Sequence, residues 1–263
     1  MATIPSPPRS FGADAEPDYP TGDGRPVAET PIHYRNLKCA VETLERYLAH
    51  DPQAYSWGNM FVYYEKGNKR KHVSPDVFVA LGVPKDKPRN AYFTWLEGHG
   101  LDLVIELTSP STKDEDLEVK MSIYQNEIVV PEYFLFDPRD EYLEPPLQGF
   151  RLREGTYSPI EMAHGRLPSE VLGLHLERDG EWLRFYNPAS GCWLPTPEEV
   201  LAEEQAKRER AEAQCKQAEA ERTRISAELQ ASVAEAERLR QELADWRRRF
   251  GGESDGGPPD GPI

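Results

Sequence analysis

Asp76, Glu106 and Lys120 are the residues of this chain whose types and settings offer the most chemistry. Asp76 stands in Ser74-Pro75-Asp76, directly ahead of the apolar run Val77-Phe78-Val79, and Glu106 lies near the end of Leu103-Val104-Ile105-Glu106-Leu107-Thr108. Read as a strand, that second run alternates its side chains, so Asp102, Val104, Glu106 and Thr108 share one face and Leu101, Leu103, Ile105 and Leu107 the other. A carboxylate on a mostly buried strand is unfavourable unless it is hydrogen-bonded, paired or bound to a cation. Asp76, also at the edge of an apolar strand, is the natural second oxygen ligand for such a cation. Taken singly, either acid reads first as a hydrogen-bonded structural carboxylate.

These residues need strands and helices to bring them together, and the neighbouring sequence supplies both. Pro110 breaks the strand that ends at Thr108, and Thr112 with Glu115 three residues on forms a candidate capping box. On the helix that follows, Leu117, Met121 and Tyr124 are expected to face a sheet, with Asp116 and Lys120 four apart on the adjoining stripe. As an exposed pair these two contribute only ~0.3 to 0.5 kcal/mol. Glu132-Tyr133-Phe134-Leu135-Phe136-Asp137-Pro138 reads as the next strand, with Asp116 and Asp137 read as structural. Upstream, Thr30-Pro31 is a helix start and Leu37, Val41, Leu44 and Leu48 make one apolar face of a helix ending near His50-Asp51-Pro52. Trp57 to Tyr64, a Gly67-Asn68 turn and a segment through Val73 predict a hairpin feeding the strand at Val77. Between residues 66 and 89, seven basic residues (Lys66, Lys69, Arg70, Lys71, Lys85, Lys87 and Arg89) against two acids leave +5 around Asp76. Such a run either approaches a phosphate-bearing substrate or decorates exposed turns.

Past Pro138, short segments at 149–153, 157–160, 171–176 and 182–186 read as antiparallel strands covering the central sheet. From Glu198 to Phe250 the chain is almost wholly Ala, Glu, Arg, Gln and Leu without Pro or Gly, a long solvated helix. Ile225, Leu229, Ser232, Ala236, Leu239, Leu243, Trp246 and Phe250 alternate spacings of four and three, a heptad seam expected to pair two copies as a coiled-coil homodimer. Residues 1–29 are expected to form a disordered leader and 251–263 a flexible tail, which leaves 30–197 as the chemical domain and 198–250 as the coil.

The ordered set of Pro75-Asp76, Val104-Ile105-Glu106-Leu107-x-Ser109-Pro110-Ser111-Thr112, Asp116-x3-Lys120-x3-Tyr124 and Pro131-Glu132-Tyr133 running into Asp137-Pro138 resembles the Uma2 family of restriction-endonuclease-like, PD-(D/E)xK proteins. Leu172-Gly173-Leu174 and Leu183-Arg184-Phe185-Tyr186 extend the likeness, which covers roughly residues 30–197. The resemblance implies an α/β fold with a mixed central sheet flanked by helices and a C-terminal coiled-coil helix. It also implies a Mg²⁺-dependent endonuclease, with Mn²⁺ as a substitute ion, in which Asp76 and Glu106 hold the metal and the substrate is DNA. The superfamily's lysine usually stands two residues after the second acid, where this chain has Thr108; Lys120, reaching back from the helix, is the candidate in its place. His33 falls where the family often carries histidine, although a lone histidine more often packs or faces solvent.

A formal net charge of -15 argues against a general nucleic-acid coating protein, without excluding a local basic groove. The three cysteines, Cys39, Cys192 and Cys215, fit no zinc or redox spacing. With neither a signal-peptide pattern nor an apolar run approaching the ~20 residues that span a bilayer, the expectation is a cytoplasmic protein without a membrane partner. The rival to a metal-dependent nuclease is a catalytically inactive binding or scaffolding protein that keeps the nuclease fold and works through its coiled coil. A two-carboxylate glycosidase is weaker, since scattered tryptophans offer no sugar platform.

Overall fold

A computed structural model describes residues 19–22, 30–110 and 112–250, with Phe250 described by its backbone alone. The rest of the leader and the tail from 251, whose flexibility the sequence predicts, lie outside the described residues. Thr30 caps the first helix, α1 (Pro31–Tyr47), its hydroxyl accepting from the His33 N–H at 3.3 Å, and a 3-10 turn at Leu48–His50 carries the helix to the expected end. Its inward face consists of Ala40, Leu44 and Leu48, with Leu37 and Val41 packed beside them.

The central sheet is mixed and six-stranded. In chain order its strands are β1 (Ala54–Trp57), β4 (Val77–Leu81), β6 (Leu103–Leu107), β7 (Glu132–Phe136), β8 (Leu147–Arg153) and β9 (Thr156–Pro159), and they lie side by side in that order. β6 and β7 run parallel, and every other neighbouring pair is antiparallel. The crossover between the parallel strands is a helical segment, 113–128, in which π-helical turns at Glu115–Lys120 and Tyr124–Ile128 flank the short helix α3 (Met121–Ile123). The sheet buries both faces, as the alternation along β6 requires. Leu103, Ile105 and Leu107 join α1 in one core, while Val104 joins Tyr124, Tyr133 and Leu135 in the other.

The expected hairpin forms across the Gly67-Asn68 turn, in a small sheet of its own and not beside β4. β1 pairs with β4, whereas β2 (Val62–Tyr63) pairs with β3 (His72–Val73) and β5 (Tyr92–Phe93) in a small side sheet. Tyr19 packs its ring against Tyr63 and Phe93 of that sheet, and the Tyr63 hydroxyl donates to the Pro20 carbonyl at 2.6 Å. A tight turn, α2 (Thr94–Glu97), follows β5. Of the later strands, β8 and β9 extend the central sheet. β10 (Arg166–Ser169), β11 (Leu174–Asp179), β12 (Trp182–Asn187) and β13 (Cys192–Trp193) form a separate antiparallel sheet. Leu167, Leu174, Leu176, Leu183 and Phe185 from that sheet close the core over α1. Asn36 fixes the join: its amide donates to the Glu181 carbonyl at 2.9 Å and its oxygen accepts from the Leu183 N–H at 2.9 Å. The start of α1 is thereby held still, and the functional site depends on it.

The last helix, α4 (Pro197–Phe250), opens on a reciprocal capping box: the Glu199 N–H donates to Thr196 Oγ1 and the Thr196 N–H to Glu199 Oε2, with Pro at the first helical position. The chain divides into two compact units, Met1–Glu199 and Val200–Ile263. In the second, the described side chains are nearly all exposed and i, i+4 ion pairs such as Lys207 with Glu203 and Arg238 with Glu242 line the helix. Among the described residues no helix is long and apolar enough to cross a membrane.

Candidate active site

The antiparallel register of β4 and β6 pairs Val77 with Ile105, which sets Asp76, one residue before β4, opposite Glu106 at the carboxyl end of β6. The two acids are interlocked through the backbone. The Asp76 N–H donates to Glu106 Oε2 at 3.3 Å and the Leu107 N–H donates to Asp76 Oδ2 at 2.8 Å. The other Asp76 oxygen, Oδ1, lies 3.3 Å from His33 Nε2 in the first turn of α1. Gly58, just after β1, is what admits this arrangement: a Cβ there would collide with the Asp76 carbonyl oxygen, so only glycine lets the two backbones approach.

Lys120 and Tyr124 reach the same acid from the crossover. Lys120 Nζ lies 3.0 Å from Glu106 Oε2 and 2.9 Å from Asp116 Oδ1, and the Tyr124 hydroxyl donates to Glu106 Oε1 at 2.7 Å. Glu106 is wholly enclosed and Asp116 nearly so. Lys120 therefore reaches back from the helix to the second acid, as expected of the candidate, and its pair with Asp116 is buried and not the exposed alternative. It is buried because the crossover lies against β7, where the Tyr133 hydroxyl donates to the Asp116 carbonyl at 2.9 Å. The π-helical turns that carry all three residues are a backbone form that recurs at functional sites. The expected capping box at Thr112 does not form: Thr112 Oγ1 instead accepts from the Ser109 N–H at 3.0 Å, closing the turn after β6.

Electrostatically the cluster is short of positive charge. Burial pushes the Glu106 carboxyl well up from its ordinary value; Lys120 opposes this, while Asp76 and Asp116 add to it. Asp116 is raised for the same reasons, burial first, with Lys120 opposing. Burial alone would lower the Lys120 ammonium, but Glu106, Asp116 and Asp76 outweigh it and hold Lys120 cationic. Among the described residues no group of three or more His, Cys, Asp or Glu side chains is arranged to enclose a metal. The metal-capable pair is that of Asp76 with Glu106. Thr108, two residues beyond Glu106, is buried with its hydroxyl donating to the Phe136 carbonyl at 3.3 Å, so Lys120 is the cation beside the second acid.

A cleft beside the cluster is lined by His33, Thr108, Ser109, Arg139 and Tyr142 among others. Asp137 shapes its far wall. The Asp137 carboxylate accepts from the N–H groups of Arg139, Asp140, Glu141, Tyr142 and Leu143 at 2.8 to 3.1 Å, winding that loop around itself. Burial would raise Asp137, but these backbone donors, Tyr142 and Leu143 foremost, outweigh it and hold the carboxyl below its ordinary value. Asp137 is structural in this sense.

The basic run around Asp76 is largely committed elsewhere. Arg89, almost fully enclosed, grips Glu97 with two bonds of 3.0 and 2.8 Å and lies 4.2 Å over the Tyr55 ring. Lys87 also pairs with Glu97, Lys85 donates to the Ala49 carbonyl, and Lys71 pairs with Glu127. These four side chains have partners within the protein, Arg89 alone among them almost fully enclosed. Arg139 is exposed at the cleft.

A mixed α/β sheet thus carries Asp76 and Glu106 at one end of the β4–β6 pair, with Lys120 reaching them from the crossover. The chain belongs to the Uma2 family: the family model described as "Putative restriction endonuclease" matches residues 12–181. Among solved structures it is similar to a crystal structure described as a putative nuclease of the DUF820 family from Anabaena variabilis. That likeness has 14% identity and a TM-score of 0.42, covering 57% of this chain and 79% of that one. No curated protein matches the chain.

Proposed function

We propose that the protein is a divalent-metal-dependent endonuclease that hydrolyses DNA phosphodiester bonds in the cytoplasm, as a homodimer joined through α4. The observation that carries this reading is the convergence of Asp76, Glu106 and Lys120, separated by 30 and 14 positions in sequence, on one fully enclosed carboxylate.

The residues suit Mg²⁺, with Mn²⁺ as a substitute. Two adjacent carboxylates from Asp76 and Glu106, with the remaining positions left to water and phosphate oxygens, is the sparse oxygen set that Mg²⁺ prefers to an all-protein cage. The surplus of three buried or half-buried acids over one ammonium, visible in the raised Glu106 and Asp116, is a second reason for a cation there. Held by Asp76 and Glu106, such an ion would supply Lewis-acid polarisation of a phosphate and a bound water of lowered pKa.

The chain's own groups do the rest. Lys120 is held cationic by its acids, so its role is to stabilise negative charge gathering on the phosphate, not to take a proton from water. Tyr124 fixes one Glu106 oxygen, while the Leu107 N–H and His33 fix the two oxygens of Asp76, so both carboxylates are oriented before substrate arrives. Arg139 at the neighbouring cleft is placed to meet a phosphate of the bound strand.

The test is cleavage of plasmid and linear DNA by purified protein in Mg²⁺ or Mn²⁺. Activity abolished by chelation and by the Asp76→Ala, Glu106→Ala double substitution is the expected result; equal activity in wild type and variant overturns the reading. One observation favours the scaffolding alternative: Lys120 and Tyr124 already satisfy both Glu106 oxygens without an ion. That alternative requires divalent-ion titration of the wild-type protein to produce no binding heat.

A further inference from the structure

The α4 seam has a charge pattern that specifies how two copies meet. Ile225, Leu229, Leu239, Leu243 and Trp246 are each at least 50% exposed. The four-three spacing places Leu229, Ala236 and Leu243 at a positions and Ile225, Ser232, Leu239 and Trp246 at d positions of a heptad. Of the residues flanking this seam, the g positions hold Glu228, Glu235, Glu242 and Arg249, and the e positions hold Ser226, Val233, Arg240 and Arg247.

In a parallel pair a g residue faces the e residue of the following heptad on the other chain, so Glu235 meets Arg240 of the second copy and Glu242 meets Arg247. Each contact occurs twice by symmetry. In the full antiparallel overlap g faces g and e faces e, which sets Glu235 against Glu242 and Glu228 against Arg249 and leaves Arg240 and Arg247 facing Val233 and Ser226. The intrahelical pair of Glu242 with Arg238 is exposed on both sides and weak enough to yield to the interchain partner.

We propose that residues 225–249 of two copies form a parallel, in-register coiled coil whose orientation is selected by the Glu235 to Arg240 and Glu242 to Arg247 pairs. The occupant of the seam is a second copy of this chain, because the seam's flanks make four Glu–Arg contacts with themselves in this orientation. The antiparallel overlap instead offsets two such contacts with two Glu–Glu contacts. The inference rests on the homodimer reading above and adds its direction. A parallel coil brings the starts of both α4 helices to the same end, so the two chains leave the coil together.

The experiment uses the full chain with Cys192→Ser and Cys215→Ser, carrying Ser232→Cys at a d position. Diamide takes up the two electrons and two protons released as two thiols join. The expected result is a covalent dimer on a non-reducing gel from Ser232→Cys alone, reversed by dithiothreitol. The full antiparallel overlap instead sets position 232 against 243, so crosslinking only on mixing Ser232→Cys with Leu243→Cys protein overturns the orientation while leaving the dimer. A mass of one chain by light scattering across the micromolar range overturns the dimer itself.

Charge reversal supplies an independent measurement. Glu235→Arg with Glu242→Arg is expected to raise the dimer Kd roughly tenfold or more. Mixing that variant with Arg240→Glu, Arg247→Glu protein restores tight pairing as a heterodimer. An unchanged Kd in the first variant overturns the proposed pairs. None of these readouts depends on nuclease activity.

Discussion

Replacing Lys120 by Met removes the ammonium while keeping most of the aliphatic stem, so it tests charge balance rather than packing. In the wild-type protein Nζ sits 3.0 Å from Glu106 and 2.9 Å from Asp116, whose side chains are 0% and 2% exposed against 16% for Lys120. Removing one partner of a buried pair typically costs 3–5 kcal/mol, because the charge left behind has no compensation. The slight exposure of Lys120 brings the expectation at pH 8 to about 3 kcal/mol. At pH 5 protons can replace the ammonium, and the loss should shrink to about 1 kcal/mol, the scale of the missing hydrogen bonds. The sign follows from Glu106. Its native value lies above the ordinary 4.5, so the stability conferred by its bound proton is full below 4.5 and is lost as pH rises through the raised native value. Without Lys120 the native value climbs further, which makes the variant's deficit grow with pH. The assay is urea unfolding of chelator-treated protein at pH 5 and pH 8, followed by the fluorescence of Trp57, Trp95, Trp182 and Trp193 in the first unit. A deficit of the same size at both pH values would refute the claim that Lys120 neutralises buried carboxylates.

Two further substitutions probe how the site is framed. Asp137→Asn replaces a carboxylate that accepts five backbone N–H groups with an amide carrying a misplaced donor, and should destabilise the protein by about 2 to 3 kcal/mol at pH 7. Asp137 is held below 3.8, so its contribution is present above that value and lost as pH falls through the depressed native one; acid titration of both proteins should show their stabilities converging only at the acid end. Gly58→Ala forces the backbone of Asp76 away from the β1 end, and should cost about 1 to 3 kcal/mol by thermal unfolding while lowering metal-stimulated DNA cleavage more than a core substitution of equal cost. A matched control is Gly149→Ala, whose Cβ would meet the Phe134 ring at 2.8 Å, away from the acids.

The parts of this architecture that were legible in the sequence are those where one local rule acts alone. α1 carries a cap, a first-turn proline and an apolar face, so its limits follow from residues 30–51. β6 announces itself because Glu106 interrupts an otherwise apolar run, and the same interruption marks it as chemical. The burial of Asp116 was not legible because spacing of four with a lysine looks alike on a solvated helix and on one pressed against Tyr133. Only the tertiary packing distinguishes the two. In the side sheet the β2–β3 hairpin was legible from its Gly67-Asn68 turn, whereas β5, two residues long and parallel to β2, is too short for alternation to register. After residue 160 the segments at 171–176 and 182–186 were recognisable and overlap β11 and β12, β10 was not, and nothing local says which sheet they join. The lysines and arginines near Asp76 show the same limit, since a count of charge cannot tell Arg89, enclosed against Glu97 and Tyr55, from an arginine that faces a substrate.

Asp116 has a consequence for how the acids would take up an ion. Lys120 holds Glu106 Oε2, one of the oxygens a metal would use, so the ammonium and the ion compete for it. Lys120 can let go of Glu106 without becoming an unpaired buried charge only because Asp116 holds it from the other side. Asp116→Asn should therefore weaken Mn²⁺ binding although Asp116 is no ligand in this arrangement, since Lys120 then has Glu106 as its principal partner. A direct ligand would produce the same loss in the single variant, and the double-mutant cycle separates the two cases. If Asp116 acts through Lys120, Asp116→Asn changes Mn²⁺ affinity several-fold in the wild-type background and by much less once Lys120→Met is present. Equal losses in both backgrounds, measured by calorimetric titration, would instead make Asp116 a third ligand and Lys120 a bystander to metal binding.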